Sequence, residues 1–555
     1  MPRSGLKCFL TNRKLKRTQF AFIAVIILVF SCRSGKEKIG YKLVSSTTKV
    51  VPDRPFEFDS IPPRFSMAKG ESESLQIILD PLDTSREQVE VYASQLSNGE
   101  QKYEGLIDVR LVGYVETVDQ NRWDWQKPED IGWWPDPLLP NRPFSIPKKW
   151  TQSIWVTIEA PVNIEAGQYQ FEITITSNDQ SVDILFSVDI WDYAISQGQM
   201  HNMAWMPPEI LGKYYSHDNM FSDEFISLYK HWADFAFDHG LPPAADMLCG
   251  WKDEDISWPI RKVNGKLDFT RFDELLEFGL ERGMKEFVLA IFPRRKSFNS
   301  LDENQKRMMQ EYLSTTYQHL SEKGVEDRAM VYNIDEPPES LFESCKQNYN
   351  YIKSIIPECK VYQCLNNVEG IEALKGYADI WDVYIPQYAK TGLMGSGEEI
   401  RWAVCVWPHD SPNLFTEYDG LDPRIIGWLM HKYKIKGFEY WNYFHSWKEN
   451  MPFEWLPQES VTTTHWKKGK YVEGDGLLVY PGPEGLPLSS IRLENLRDGF
   501  EDYRLLAAVE NRINMESAQN LVSQIVYDLD QWETSPMKIK EIRNEIKDLL
   551  QTHVK

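Results

Sequence analysis

From about Tyr41 to Trp191 apolar and polar residues alternate. Gln76-Ile-Ile-Leu, Val89-Glu-Val-Tyr, Ile107-Asp-Val-Arg-Leu-Val, Ser153-Ile-Trp-Val-Thr-Ile and Tyr169-Gln-Phe-Glu-Ile-Thr-Ile are short runs of period two, set apart by Gly, Pro and Asn. This pattern predicts half-buried strands, and their spacing predicts a β-sandwich. The stretch from Trp123-Asp-Trp-Gln to Gly132-Trp-Trp-Pro-Asp-Pro-Leu-Leu-Pro140 breaks the rhythm. Its aromatic, Pro-rich composition predicts a long loop lying against a neighbouring domain, with direct contact to a sugar as the alternative.

After Ile195 the pattern becomes strand, then helix, repeatedly. The predicted strands are Asn202-Met-Ala-Trp-Met, Ala244-Ala-Asp-Met-Leu-Cys, Glu286-Phe-Val-Leu-Ala-Ile-Phe and Ala329-Met-Val-Tyr-Asn-Ile. Four more follow: Lys360-Val-Tyr-Gln-Cys-Leu, Ile380-Trp-Asp-Val-Tyr-Ile, Ala403-Val-Cys-Val-Trp and Gly437-Phe-Glu-Tyr-Trp. Between them lie helical periods over 221–239, 269–282, 303–323 and 422–433. Eight strands alternating with helices predict a (β/α)8 TIM-like barrel. The tail to Lys555 reads as amphipathic helices. The expected organisation is therefore a β-sandwich over 41–195, a barrel over 196–465, and a barrel-closing segment with C-terminal helices over 466–555.

The fourth predicted strand runs into two adjacent carboxylates, Asp335 and Glu336, followed by Pro337 and Pro338. Two acids at the mouth of a buried strand cost desolvation energy unless they are paired, hydrogen-bonded or used. Capping of the helix that follows is the plain alternative. Barrel active sites, however, lie at the C-terminal ends of the strands. Those ends here carry Trp205, Asn366, Tyr384, Tyr388, Trp407, His409, Trp441 and Asn442 beside the two acids. Rings stack on sugar faces and amides bind hydroxyls, so this set predicts a carbohydrate site.

Composition narrows the classes. The chain has 555 residues, 42% hydrophobic and 26% charged, which fits a globular multidomain protein. A net charge of -21 argues against nucleic acid as a partner. Cys249, Cys345, Cys359, Cys364 and Cys405 contain no CxxC pair, so neither a disulfide framework nor a thiolate metal site is indicated. No cofactor or metal is expected.

Residues 1–31 have the features of a bacterial lipoprotein signal. Arg3, Lys7, Arg13, Lys14, Lys16 and Arg17 precede a short apolar segment, Phe20 to Phe30, with no acidic residue. Val29-Phe-Ser-Cys32 resembles a lipobox, making Cys32 the expected lipid anchor and 32–40 a linker. Arg33 follows where inner-membrane retention usually needs Asp. The expected location is the cell envelope, at the outer membrane, on either its periplasmic or its external face.

Conventional retaining glycosidases hold two carboxyls about 5–5.5 Å apart on either side of the anomeric carbon, and inverting ones about 6.5–9.5 Å. Neighbours in sequence can hardly flank a sugar in that way. They can divide the work when the substrate brings its own nucleophile, the 2-acetamido carbonyl of an N-acetylhexosamine. One acid then protonates the leaving oxygen while the other orients the acetamido N–H. Like charges side by side also help keep one carboxyl protonated.

Several longer motifs accompany the acid pair: Trp133-Trp-Pro-Asp-Pro-Leu, Ala160-Pro-Val-Asn-Ile-Glu-Ala-Gly-Gln-Tyr169, Asn333-Ile-Asp-Glu-Pro337, Gly474-Asp-Gly-Leu-Leu-Val-Tyr-Pro-Gly482 and Ser490-Ile-Arg-Leu-Glu-Asn-Leu-Arg-Asp-Gly-Phe-Glu-Asp-Tyr503. With them the chain resembles glycoside hydrolase family 123, the retaining β-N-acetylgalactosaminidases, and its broader group of relatives. The resemblance implies substrate-assisted catalysis, with Glu336 as acid/base and Asp335 orienting the acetamido group. Tyr384 and Asn366 are the candidates to hold the acetamido oxygen. The charged residues of 489–506 are expected to make salt bridges that pin the last helices to the barrel. Two rivals stay open: a conventional hydrolase with Glu336 as acid and Glu439 as nucleophile, and a non-catalytic glycan-binding lipoprotein.

Overall fold

The structure, a computed structural model, describes residues 39–552 apart from 55–59, 118–130, 197, 199, 253–254, 293–297, 446, 448–463 and 468–469. The signal segment, Cys32 and the Trp123–Gln126 part of the aromatic stretch lie outside the described residues.

The N-terminal region is β-rich. One sheet has the order Tyr41–Ser45, Ser72–Leu79, Gln152–Glu159, Ile107–Thr117, Gly132–Pro140. The second runs Arg64–Lys69, Gln180–Ala194, Gly167–Ser177, Arg86–Ala93, Phe144–Ile146. Period two explains the packing: in Gly167–Ser177, Tyr169, Phe171, Ile173 and Ile175 are buried while their neighbours face outward. Phe171 stacks on Phe186 at 4.8 Å within the shared core.

The expected loop around Trp133 is instead a strand, Gly132–Pro140. Within the sheet it is an edge strand, paired with Ile107–Thr117 with a register slip between Val112 and Tyr114, and an isolated bridge joins Pro137 to Ser490. An edge position with a bulge is where a sheet tolerates several prolines. The far end of this strand meets the C-terminal region, Leu138 N donating to Ser489 O at 2.9 Å.

A parallel sheet with helices follows. Its order is Met203–Ala204, Gly437–Tyr440, Glu399–Val404, Ile380–Tyr384, Lys360–Leu365, Ala329–Tyr332, Phe287–Ile291. The strand expected over Ala244–Cys249 is absent: this segment forms turns, with Met247 N bonded to Pro243 O at 3.0 Å. Pro242 and Pro243 lack the donors a ladder needs. The sheet nevertheless curls so that both outer strands reach this segment. Ala204 N donates to Pro242 O and Val288 N to Ala244 O, each at 2.9 Å.

Several helices begin and end on legible signals. Glu303–Lys323 opens on an Asp302–Gln305 capping box and stops at Gly324, which has a left-handed backbone. The long helix Ile491–Arg512 is wedged between the sandwich and the helix Asp422–Tyr433. A Cβ on Gly427 would overlap the Gly499 carbonyl, so the two helices cross at backbone contact only because both positions are glycine.

Buried charge ties these parts together. Arg424 pairs with Asp502 at 2.7 Å, Asp498 at 3.3 Å and Glu73 at 2.9 Å. Arg543 of the last helix adds Glu71 at 3.1 Å and Glu73 at 2.9 Å. Arg497 pairs with Asp498 at 2.8 Å and with Glu494. The charges of 489–506 thus pin the last helices, but to the sandwich as much as to the parallel-sheet domain.

Candidate active site

Asp335 and Glu336 leave the C-terminal end of the Ala329–Tyr332 strand. The turn that carries them is held from below by buried amides. Asn333 Oδ1 accepts from Ile334 N at 2.9 Å and from Asn348 Nδ2 at 3.1 Å, and Gln363 Nε2 donates to Ile334 O at 2.8 Å. Glu336 itself has φ 43°, in the left-handed region, directly before a proline. A non-glycine residue there costs on the order of 1–3 kcal/mol, and such strain clusters at functional sites. A capping role asks for no such backbone.

The pair opens into a cavity of about 840 Å³ lined also by Asn366, Tyr384, Trp407 and His409. The Tyr384 hydroxyl donates to Glu336 Oε1 at 2.5 Å and lies 3.0 Å from the Cys405 sulfur. Burial pushes the Tyr384 phenol well above its ordinary range, so it stays a hydrogen-bond donor. Trp407 is 45% exposed, with its ring 3.9 Å from His409 and nearly perpendicular to it. Burial lowers the His409 pKa, favouring the neutral ring. An exposed indole beside a polar wall is suited to stacking on a sugar. Lys390 and Asp410, which sequence reasoning missed, line the same space.

Other candidates stand elsewhere. Tyr388 is buried against Trp402 and Tyr433, because the one-turn helix Ile385–Tyr388 points it to the helix side of the sheet. Asn442 is buried and caps a local turn, its Oδ1 accepting from Phe444 N at 3.0 Å. Trp441 packs beside Tyr384 and Cys405, with Nε1 bonded to Asp475 Oδ1 at 2.8 Å. Trp205 donates from Nε1 to Glu439 Oε1 at 2.7 Å. None of these four lines the cavity.

Glu439 lies beneath the acid pair, only 3% exposed. Tyr362 donates to its Oε2 at 2.5 Å, and the Tyr332 hydroxyl lies 3.5 Å from Oε1 and 3.4 Å from Asp335 Oδ1. Burial raises the Glu439 carboxyl to about 7, and the neighbouring Asp335 adds to this against the donors. Asp382, wholly buried alongside, is also pushed well up, by burial and then by Glu439.

At the opposite ends of the strands, ligand atoms of His201, Glu286 and Glu399 lie within 4.8 Å of one another. Arg401 already bridges the two carboxylates, at 2.8 Å from Glu399, and Lys360 reaches Glu399 at 3.0 Å. That cluster reads as an ion-pair network.

The comparison with known proteins agrees with the geometry. The family model described as glycoside hydrolase 123, catalytic domain, matches residues 205–509, and that for the glycoside hydrolase 123 N-terminal domain matches 66–177. The chain belongs to glycoside hydrolase family 123. A family 123 glycoside hydrolase from Clostridium perfringens, solved in a study of glycolipid glycan hydrolysis, shares the fold. Its TM-score is 0.69 at 15% identity, over 93% of this chain and 98% of that one. An endo-β-1,4-mannanase from Thermotoga petrophila reaches a TM-score of 0.33 at 14% identity, over 56% of this chain and 77% of its own. No curated protein matches the sequence. Membership in family 123 makes the protein a glycosidase by class, and the acid pair falls inside the matched catalytic domain.

Proposed function

We propose that this family 123 protein is a retaining β-N-acetylgalactosaminidase, exo-acting on N-acetylhexosamine-containing glycans by substrate-assisted catalysis. The observation that carries the mechanism is the contrast between adjacent acids facing one cavity and Glu439 sealed beneath them. A nucleophile must reach the anomeric carbon, and Glu439 is buried beside the Tyr332 hydroxyl with Trp205 and Tyr362 donating to it. In the proposed reaction the acetamido carbonyl oxygen attacks C1 as the C1–O bond to the leaving group breaks. Glu336 gives its proton to the leaving oxygen, and Asp335 accepts the acetamido N–H and balances the positive oxazolinium. Glu336 then takes a proton from water, which attacks C1 from the face the leaving group vacated, with net retention. Tyr384 orients Glu336, which leaves Asn366 as the candidate for the acetamido oxygen. The galacto configuration of the sugar rests on the family resemblance, and the glycolipid substrate of the Clostridium perfringens relative makes a glycoconjugate reasonable here. In the same reading, the curled sheet is a (β/α)8 barrel with 242–244 in place of one strand, and Cys32 anchors the protein at the outer membrane.

The test is hydrolysis of an aryl β-N-acetylgalactosaminide beside its N-acetylglucosamine epimer and the parent galactoside. Turnover of the first with retention, and none of the galactoside, is expected. Turnover of the galactoside at a similar rate would sink the acetamido mechanism, and absence of turnover on all glycans offered would favour a binding protein.

A further inference from the structure

We propose that Glu439 is a positioning residue for Asp335, acting through the Tyr332 hydroxyl that lies between the two carboxyls. The inference rests on the acid-pair mechanism above and concerns a group that never touches the sugar.

The geometry sets a conflict over one proton. Tyr332 has a single hydroxyl hydrogen, with Asp335 Oδ1 at 3.4 Å and Glu439 Oε1 at 3.5 Å. Its ring is fixed by stacking on Tyr362 at 4.9 Å and by the Trp205 ring at 5.5 Å. If both carboxyls are ionised they compete for that hydrogen and repel each other. If Glu439 carries a proton, it donates to the Tyr332 oxygen, and the Tyr332 hydrogen is directed at Asp335. The neutral state of Glu439 thus orders a chain, Glu439 to Tyr332 to Asp335, that holds the Asp335 carboxylate in place.

The surroundings favour the neutral state. Glu439 is faced by Tyr332 and Asp335 from one strand and the turn after it, and by Tyr362 and Cys364 from the next. Asp382 and Arg401 face it from the two strands beyond. Arg401 is the cation of this set, and it is committed to Glu286 and Glu399 while lying over the Tyr362 ring at 5.3 Å. Among the described residues Glu439 makes no ion pair. Burial without a counter-ion raises a carboxyl, and here it outweighs the Tyr362 and Trp205 donors, which favour the charged form.

The experiment is the pH dependence of kcat on an aryl glycoside with a good leaving group, which needs little help from Glu336. Wild type, Glu439→Gln, Tyr332→Phe and the double variant are compared, each checked for folding by thermal unfolding. Gln keeps a donor toward Tyr332 but cannot ionise. We expect wild-type kcat to fall on the alkaline side, to about a tenth one pH unit above the midpoint of that limb. Glu439→Gln should lose this limb, and in the Tyr332→Phe background it should change nothing further, because the two act as one unit. A Glu439→Gln profile identical to wild type, or an unchanged effect in the Tyr332→Phe background, would overturn the proposal. Should the protein turn over a non-acetylated glycoside instead, the mechanism above fails separately, and the same series on that glycoside still decides the role of Glu439.

Discussion

Arg492 grips Asp136 through two parallel hydrogen bonds, Nε to Oδ1 at 2.8 Å and Nη2 to Oδ2 at 2.7 Å, with both side chains sealed from water. Asp136 lies in the edge strand of the sandwich and Arg492 in the first turn of the long C-terminal helix. The same guanidinium reaches the carbonyls of Gly474 at 2.8 Å and Leu477 at 2.6 Å, and Tyr480 donates to Asp136 at 2.5 Å. Three of the sequence motifs, around Trp133, Gly474 and Ser490, therefore meet at one joint. Burial opposes ionisation of Asp136, but Arg492 outweighs it and holds the carboxyl below its usual range.

Breaking that joint should be severe. Removing one partner of a buried, hydrogen-bonded pair costs about 3–5 kcal/mol, because the other charge is left uncompensated. Asp136→Asn should lower the calorimetric transition strongly. The wild type should unfold in a single transition, since the pair links the sandwich to the helix packed on the parallel sheet. Trp133→Ala, which removes a ring packed on Trp150 at 5.4 Å, should lower the same transition. Two separate wild-type transitions, with only one of them moving in the variants, would contradict the linkage.

Acid stability should depend on Glu286. Burial raises its carboxyl, but Arg401 and the His201 contact prevail and hold it at about 2 rather than 4.5. A depressed acid contributes stability that is present above its unfolded value and lost as pH falls through the folded one. The contribution, on the order of 3 kcal/mol, should be complete above 4.5 and fade toward 2. The difference in Tm between wild type and Glu286→Gln should accordingly be largest near neutral pH and shrink as pH falls through that window. A difference that stays constant down to acid pH would show that Glu286 acts by shape and not by charge.

How far the sequence could be read follows from which force shapes each segment. Where one face is buried and the other wet, as in Gly167–Ser177, alternation exposes the strand directly. Glu303–Lys323 was legible because Asp302 and Gly324 mark its ends. The Gly132–Pro140 strand was not, because its prolines argue against a ladder unless the edge position is known, and that is a tertiary fact. The apolar run after Pro243 looks like a strand by composition, yet Pro242 and Pro243 before it have no N–H to give a ladder, and the N–H groups of Asp246, Met247 and Cys249 turn back on Pro243 and Asp246 carbonyls. At the site, Asp335, Glu336, Asn366, Tyr384 and Trp407 share one cavity, as strand-end positions should. Tyr388 does not, because one turn of helix carries it to the other side of the sheet. Glu439 was visible as an acid on the last strand, but its layer with Tyr332, Tyr362 and Asp382 was not, since these residues come from four separate strands.

The proposed lipid anchor is open to a direct check. Cys32→Ser should release the protein from membranes or block its maturation, with loss of the lipid mass. Unchanged fractionation and unchanged mass in that variant would reject the anchor without touching the enzymology.

The two neighbouring acids should fail in different ways. Glu336→Gln removes the proton donor, so its cost should grow as the leaving group becomes poorer, reaching roughly 10²–10⁴-fold on unactivated glycosides. Asp335→Asn keeps the size but loses the charge that steadies the oxazolinium, so it should slow good and poor leaving groups alike. A thiazoline that imitates the oxazoline should inhibit the wild type far more tightly than substrate binds, and should lose most of that affinity in Asp335→Asn. Asp410 lines the same cavity and serves as the control for a conventional nucleophile. Its substitution by Asn should leave the thiazoline affinity intact. If instead a covalent glycosyl-enzyme were trapped on Asp410 or Glu439, and the thiazoline failed to bind, the reaction would be a conventional double displacement. Asp335 would then have no acetamido N–H to orient and no oxazolinium to balance, and the dependence of thiazoline binding on it would have no basis.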